Sequence, residues 1–220
     1  MVRAMDAISL NADTDVAVLI HGATQRWVPS PAPGIERKLL ERVGGEVALA
    51  TSIVRYAPGS RFAPHVHGAG EEFLVLEGVF SDEHGDYPPL TYVRNPPGSQ
   101  HMPRSSAGCT IFVKLRQMPA TERQRVAVHA RYAPGLQTLY RGSKVVVDLH
   151  CLPANGSLSL DASSGGEELF VFEGTVHAPG IDLARWSWWR RQPGAGETTL
   201  TSPTGAIVWR KRGHLSRSEG

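Results

Sequence analysis

The sequence predicts an all-β protein. Its 16 prolines and 23 glycines are spread along the 220 residues and separate short runs rich in Val, Ile, Phe, Trp and Leu. The clearest of these runs are 48–56, 73–76, 109–115, 144–149 and 169–172. Short apolar strands with turn signals between them are typical of β-sandwiches and β-barrels. One stretch, 35–42, has a pattern that suits a short helix.

The composition is that of an ordinary globular protein and argues against several function classes. Hydrophobic residues make up 41% of the chain and charged residues 20%, and the formal net charge is +2. This charge is too small for a nucleic-acid-binding surface, so the basic cluster 210–212 is interpreted as the solvated end of a strand. No apolar run approaches the roughly 18 residues of a membrane span, and the early acidic residues do not suit a secretory signal. Two cysteines without a CxxC motif suit a reducing compartment. We therefore expect a cytoplasmic protein with no nucleic-acid and no membrane partner.

An internal repeat divides the chain. The sequence GEEFLVLEG at 70–78 returns as GEELFVFEG at 166–174, and TYVRNPPG at 91–98 is echoed by WWRRQPGA at 188–195. A repeat of this length predicts two copies of one β-unit. The predicted segments are an N-terminal extension at 1–26, a first copy at 27–122 and a second copy at 123–220.

The first copy brings together side chains that bind metals. His65 and His67 are two residues apart, so on a strand they point to the same face, and Glu71 has the same parity. His101 follows the turn sequence NPPGSQ, which would deliver it onto a neighbouring strand. Three imidazoles and a carboxylate suit Zn, Fe, Ni, Mn or Cu and are poor ligands for Ca or Mg. A bound cation would offset the cost of burying these polar groups in a β interior.

The second copy lacks the imidazoles. Counted from Glu167, the places of His65 and His67 are held by Asp161 and Ser163, and Thr198 falls opposite His101. We therefore expect no metal in the second copy, which would serve as a packing partner.

The spacing of the candidate ligands is more specific than any one of them. A lone HxH pair is a weak signal, but the whole pattern resembles the two signature motifs of the cupin superfamily. Its fixed positions are Gly59, His65, His67, Glu71, Gly78, Pro96, Gly98 and His101. One departure is Ser105, where the family often has Asn. The resemblance implies two tandem cupin jelly-roll barrels, a bicupin, with a degenerate second copy.

A narrower resemblance covers residues 27–118. EEFLVLEGVFSDEHGDYPPLTYVRNPPGSQH, followed by GCTIFVKLRQ, is similar to the cupin domain of ChrR-type zinc-dependent anti-sigma factors. The resemblance implies that one divalent transition metal (Zn, Fe, Ni or Mn) binds His65, His67, Glu71 and His101. ChrR proteins also carry an N-terminal sigma-binding domain, for which the 26 residues ahead of the first copy are too few. We therefore expect no sigma-factor partner.

Several other residues are interpreted as structural. Tyr56, Tyr92 and Arg94 are expected to pack across strands or to lie on the surface, and Arg94 is matched with Arg191 of the second copy. Glu72 is expected at the barrel rim.

The pocket wall and the tryptophans complete the sequence-based expectations. Phe73, Val75 and Phe112 are candidates for an apolar wall beside the metal. The segment 186–189 contains three tryptophans, and by strand parity at least one of them should face outward. Together with Trp209, these tryptophans would either form a homodimer interface or fill the second barrel.

Three function classes remain open from the sequence. The first is a metal-dependent sensor or ligand-binding module, and the second is an Fe-dependent dioxygenase acting on a small diketone or hydroxyketone. The third, a structural or storage module, is disfavoured by the intact ligand set. In the first two classes a small oxygen-chelating anion would occupy the open metal positions. Metal identity would discriminate these classes: iron would favour the oxygenase, and zinc alone would favour a sensor or a structural role.

Overall fold

The computed structural model describes residues 7–45 and 47–215, whose regular secondary structure is almost entirely β-strand. The one helical segment in this part of the chain is a 3-10 turn at Gly22–Thr24. The all-β prediction is confirmed. No helix in the described ranges is long and apolar enough to cross a membrane.

The strands are numbered in chain order. The first twelve are β1 (Ile8–Leu10), β2 (Val18–His21), β3 (Val28–Pro29), β4 (Ile35–Gly44), β5 (Ala48–Tyr56), β6 (Ser60–Arg61), β7 (His65–Val66), β8 (Glu71–Gly78), β9 (Phe80–Asp82), β10 (Gly85–Tyr87), β11 (Thr91–Asn95) and β12 (Gln100–His101). The others are β13 (Arg104–Ser105), β14 (Cys109–Leu115), β15 (Val126–His129), β16 (Gly135–Arg141), β17 (Val146–Leu152), β18 (Gly156–Leu160), β19 (Glu167–Ala178), β20 (Ile181–Ala184), β21 (Ser187–Arg191), β22 (Thr198–Ser202) and β23 (Ala206–Arg212).

The first compact unit comprises residues 7–12 and Arg26–Ala130. Its large sheet has the order β1-β4-β5-β14-β8-β11-β15, with β3 on β4. Two small sheets, β10-β9-β13-β6 and β12-β7, complete the unit. Apolar side chains of the large sheet, such as Phe73 and Ile111, share one buried core with Phe80 and Tyr87 of the small sheet. Burial of these aromatic side chains stabilises the unit.

The second compact unit comprises Asp13–Gln25 and residues 131–215. Its main strand order, β16-β17-β23-β19-β21-β2, matches the first unit's β4-β5-β14-β8-β11-β15. The long strand β19 first pairs with β23 and β21 and then with β20 and β22, so it runs from one layer into the other. The sequence repeat therefore corresponds to one strand order used twice.

The unit boundaries differ from the repeat boundaries at both ends of the first copy. Strand β2 pairs with β21 and belongs to the second unit, whereas β15 pairs with β11 and belongs to the first. The segments 1–26, 27–122 and 123–220 remain the division that the sequence repeat predicts. Residues 1–6 and 216–220 of those segments lie outside the described residues.

The helix expected at 35–42 is wrong, because this stretch lies within β4. The strand pairs with β5 over its whole length, and the register shifts between Leu39 and Glu41. A bulge inserts one extra residue and interrupts the alternation of inward and outward side chains. The apolar residues Ile35, Leu39 and Leu40 therefore have a spacing that imitates one helical face.

Two surface expectations are also wrong. The basic cluster 210–212 is not solvated at its first two positions, since Arg210 and Lys211 are buried. Trp188, Trp189 and Trp209 are likewise buried within the chain, and Trp189 packs in the core of the second unit. Parity places Trp188 and Trp189 on opposite faces of β21, but both faces are covered. A homodimer remains a prediction that these tryptophans no longer support.

Candidate metal centre

Three histidines converge at one end of the first unit. Strands β7 and β12 pair antiparallel with His101 directly opposite His65. The ring centroids lie 4.8 Å apart for His65 and His67, 5.2 Å for His65 and His101, and 4.7 Å for His67 and His101. His67 and His101 are buried and His65 is half-buried. Val66, which lies between His65 and His67 in the chain, points outward and is 61% exposed. The prediction that His65 and His67 share a face is confirmed.

Glu71 supplies a carboxylate beside this triad. Its Oε2 lies 3.4 Å from His67 Nε2 and 3.3 Å from His101 Nε2, and it accepts a hydrogen bond from Asn95 Nδ2 at 3.2 Å. Gly70 turns the chain into β8 with φ of +78°, and a Cβ there would meet Met118 Sδ at 2.5 Å. A side chain at position 70 would therefore disturb the approach of Glu71 to the histidines.

The hydrogen bonds of two histidine rings show which ring nitrogen carries the proton and which presents a lone pair. His65 Nδ1 lies 3.0 Å from the Ala63 carbonyl and His101 Nδ1 lies 3.2 Å from Asp82 Oδ2. Both partners only accept, so each Nδ1 carries the proton and the neutral ring presents a lone pair at Nε2. Metal-ligating histidines are oriented in this way.

The polar atoms at the centre fit a cation. His67 Nε2 and His101 Nε2 are buried and form no hydrogen bond, although both face the Glu71 carboxylate. The His101 Nε2 presents a lone pair, and a lone pair that faces a carboxylate is unfavourable unless a positive charge lies between the two groups. Ligand atoms about 2.1 Å from a shared zinc would lie about 3–4 Å from one another, and the triad nitrogens lie within 4.8 Å. The donor set therefore fits a divalent transition metal.

Asp82 is a supporting residue that sequence reasoning missed. In addition to His101, its carboxylate accepts hydrogen bonds from the His84 backbone N–H at 2.8 Å and the Tyr87 hydroxyl at 3.1 Å. Arg125 in turn donates to the Tyr87 oxygen at 2.7 Å. The sequence SDEHGDY indicates only a turn, because nothing in it shows that Asp82 reaches His101 across strands.

The pKa shifts follow this geometry. Burial lowers the pKa of His67 below its ordinary value, outweighing the attraction of Glu71. Burial also disfavours the charged form of His101, but the Asp82 hydrogen bond and the Glu71 charge raise its pKa overall. Burial would raise the pKa of Asp82, yet hydrogen bonds led by that from His101 lower it. Asp82 therefore stays ionised, and its hydrogen bond with His101 favours a proton on Nδ1 of that ring.

A cavity of about 370 Å³ adjoins the centre. His65 and Glu71 lie in its wall, which is otherwise mostly apolar. The apolar part comprises Ala32, Val54, Tyr56, Phe62, Ile111, Val113 and Leu115, together with prolines. The predicted wall of Phe73, Val75 and Phe112 is wrong: Phe73 and Val75 lie in the core behind the cavity, and Phe112 points to the opposite face of β14 from Ile111 and Val113.

Tyr56 lines this cavity and carries a hydroxyl group. Its ring packs edge-on against Phe62 and Phe80, as the packing interpretation predicts. Burial and then the charge of Glu71 raise the pKa of its hydroxyl well above the ordinary value, so the group keeps its proton. It therefore offers a hydrogen-bond donor beside the centre.

Tyr92 and Arg94 serve a structural network on the other face of the large sheet. Both donate to Glu72 Oε2, at 2.6 Å and 2.8 Å, and all three residues are buried. The packing role expected of Tyr92 is confirmed, but Arg94 is buried and is not the surface charge that was expected, and the rim position predicted for Glu72 is wrong.

The strand register also corrects the matching of Arg94 with Arg191. Arg94 pairs with Glu72 and Asn95 with Glu71, whereas in the second unit Arg190 pairs with Glu168 and Arg191 with Glu167. Arg191 therefore corresponds to Asn95, beside the candidate ligand Glu71.

The second unit replaces the histidine cluster with an ion-pair cluster. His67 and Ser163 hold equivalent positions, because each exchanges backbone hydrogen bonds with its own Pro/Gly turn. Glu167 is fully buried and accepts from Arg191 and from Arg210 Nε, the latter at 2.5 Å. Two guanidinium groups thus supply the positive charge beside this carboxylate.

Residues 15–119, just under half of the chain, match the family described as the ChrR cupin-like domain, which supports assigning this segment to the cupin superfamily. No curated protein matches the chain in sequence.

Solved structures support the fold at low sequence identity. Pirin YhhW of Escherichia coli, in complex with nickel(II), aligns with a TM-score of 0.71 at 9% identity over 90% of this chain and 98% of that chain. Protein Ylba of E. coli aligns with a TM-score of 0.70 at 11% identity over 96% of both chains. Salicylate 1,2-dioxygenase of Pseudoaminobacter salicylatoxidans, with gentisate, aligns with a TM-score of 0.58 at 11% identity over 91% of this chain and 81% of that chain. Identities this low show the fold alone.

Proposed function

We propose that the first unit binds one divalent transition metal (Zn, Fe, Ni or Mn) through His65, His67, Glu71 and His101, and that the chain acts as a cytoplasmic metal-dependent sensor or ligand-binding module. The observation that carries this proposal is the convergence of two buried ring nitrogens, Nε2 of His67 and Nε2 of His101, on the Glu71 carboxylate beside His65. The metal would act as a Lewis acid with positions open to a small molecule.

The ligand proposed for this centre is a small oxygen-chelating anion. Three neutral imidazoles and one carboxylate leave a divalent ion with one net positive charge. The adjoining cavity offers apolar surface for the rest of the ligand, and its volume lies near the lower end of the range for small-molecule sites.

The metal content of the purified protein tests the assignment. We expect one metal per chain by elemental analysis of protein purified without chelators, and anomalous scattering at the first unit alone. The second unit should hold none, because Glu167 is already paired with two guanidiniums. A ratio near two, with scattering at both units, would contradict the proposal.

An Fe-dependent dioxygenase is the second candidate. It is favoured by the Tyr56 hydroxyl, which can hold a substrate oxygen in the cavity beside the centre, and by a fold shared with salicylate 1,2-dioxygenase. Iron-loaded protein would be mixed with β-diketones, hydroxyketones and catechols while oxygen uptake and calorimetric binding are recorded. Oxygen consumption would select the enzyme, whereas binding without consumption would select the sensor.

Replacing Asp82 with asparagine should weaken metal binding. The neutral amide of asparagine lacks the negative charge with which Asp82 stabilises the proton on His101 Nδ1. Loss of such a supporting partner typically lowers metal affinity by about 10–100-fold. Competition with a chromophoric chelator measures the change. Asp86→Asn, an exposed change on β10, is the matched control and should bind metal as the unaltered protein does. Equal affinity in the two variants would show that Asp82 does not position the ligand.

A further inference from the structure

A cavity of about 480 Å³ lies within the second unit. Its wall comes from the segment 132–134, from strands β17, β19 and β23, and from the turn at 204–205. Most of the wall is apolar or glycine, and among the described residues that line it Glu173 alone carries a charge. The volume lies in the range of small-molecule sites.

The strand registers show which residues of the first unit correspond to this wall. In the first unit, Arg55 and Glu77 are the two partners of one residue on β14. In the second unit, Cys151 and Glu173 are the two partners of one residue on β23. Cys151 therefore stands in the place of Arg55, and Glu173 in the place of Glu77.

The first unit fills this place with a cation of its own. The guanidinium of Arg55 lies 4.3 Å from the centroid of the Trp27 ring, and its Nη2 lies 2.5 Å from Glu36 Oε2. An aromatic face and a carboxylate both attract a guanidinium. The arrangement shows that this part of the β-unit can accommodate a cation.

The second unit has an aromatic ring and a carboxylate here but no cation from its own chain in the cavity wall. Tyr132 lines the cavity beside Glu173, and burial and then the charge of Glu173 raise the pKa of its hydroxyl. Cys151 is neutral, because burial raises the pKa of its thiol. Arg185 also acts on Tyr132, but its guanidinium lies over the Trp186 ring, 4.7 Å from the centroid.

The Glu173 carboxylate lacks a partner among the described residues, since its side chain forms no hydrogen bond and no ion pair with any of them. At the equivalent position of the first unit, Glu77 accepts a hydrogen bond from the Thr110 hydroxyl at 3.5 Å. Ile207, which pairs with Glu173, has no donor on its side chain. The carboxylate is therefore available to a cation from outside the chain.

We propose that this cavity binds a small organic cation, a guanidinium or ammonium group on a short apolar body. Glu173 supplies the counter-charge and Tyr132 the aromatic face, while the apolar wall around Cys151 and Ile207 covers the body of the ligand. The ligand thus takes in the second unit the place that Arg55 takes in the first. No residue of the metal centre takes part, so this proposal does not rest on the proposed function.

Paired titrations with butylguanidinium and butylurea test the proposal. The two probes have the same shape and differ in charge, and a guanidinium stays ionised and so does not coordinate the metal. Butylguanidinium should bind about 5-fold more tightly than butylurea, as expected for a partly solvated ion pair with a ring contact. NMR titration measures both affinities, and the methyl signals of Ala206 and Ile207 should shift.

Glu173→Gln should remove the difference in affinity between the two probes. Glu77→Gln, at the equivalent position of the first unit, is the matched control and should retain the difference. Both residues are exposed, so neither change should disturb folding. Equal affinities for the two probes in the unaltered protein, or a difference that persists in Glu173→Gln, would overturn the proposal.

Cys151→Arg supplies the cation from within the chain, as Arg55 does in the first unit. In a variant that circular dichroism shows to be folded, butylguanidinium binding should be lost. Undiminished binding in the folded variant would place the probe outside this cavity and would contradict the proposal. Should this change at a buried position prevent folding, Glu173→Gln decides the question by itself.

Discussion

Replacing His101 with alanine should strip most of the metal from the protein. His101 is buried, its Nε2 faces Glu71, and its Nδ1 is held by Asp82, so no mobile side chain can take its place. The loss in affinity should exceed the roughly 10–100-fold cost of removing a supporting partner. Elemental analysis after dialysis against a weak chelator measures the retained metal.

His129→Ala is the matched control for this experiment. His129 lies on β15 of the same unit, is exposed, and contacts Thr91 away from the triad. Its removal should leave one metal per chain. Full occupancy in His101→Ala would contradict the four-ligand assignment.

Replacing Glu167 with glutamine should destabilise the second unit strongly. Glu167 is fully buried and paired with both Arg191 and Arg210, so removing its charge takes from two buried guanidiniums the counter-ion that they share. Breaking a buried ion pair in this way typically costs about 3–5 kcal/mol in the free energy of unfolding. Tryptophan fluorescence during urea denaturation can follow the second unit, because four of the five tryptophans lie there: Trp186, Trp188, Trp189 and Trp209.

Glu71→Gln is the matched substitution at the equivalent position of the first unit. Glu71 faces Asn95 and two imidazoles rather than guanidiniums, so its removal should lower metal content and leave the fluorescence transition unchanged. Glu167→Gln should do the reverse. If Glu167→Gln unfolds at the same urea concentration as the unaltered protein, the Glu167 carboxylate does not stabilise the second unit through the two arginines.

The sequence predicted the features that depend on spacing along the chain. His65 and His67 share a face because a strand alternates its side chains, and no long-range contact is needed to see this. The repeat at 70–78 and 166–174 likewise revealed two similar units before any strand pairing was known. The absence of histidine at Asp161 and Ser163 pointed to a second unit with different chemistry.

Predictions from residue spacing were wrong where a strand departs from the regular alternation of its side chains. The bulge between Leu39 and Glu41 gave β4 the appearance of a helix. The sequence repeat matched Arg191 with Arg94, but the strand register is shifted by one residue and matches Arg191 with Asn95. The first-unit residue equivalent to Arg191 therefore lies beside the candidate ligand Glu71 and not in the structural network of Arg94. Register errors of this kind exchange the two faces of a sheet.

Sequence alone thus determined the fold class, the repeat and the candidate ligands, because each is encoded in local periodicity. The tertiary structure alone decided that Asp82 orients His101 and that two arginines enclose Glu167. These are contacts or placements set by pairing and packing between strands distant in sequence, and strand register fixes which side chains share an interior. The charged groups that surround Glu71 and Glu167 therefore come from several strands, and only strand pairing brings them together.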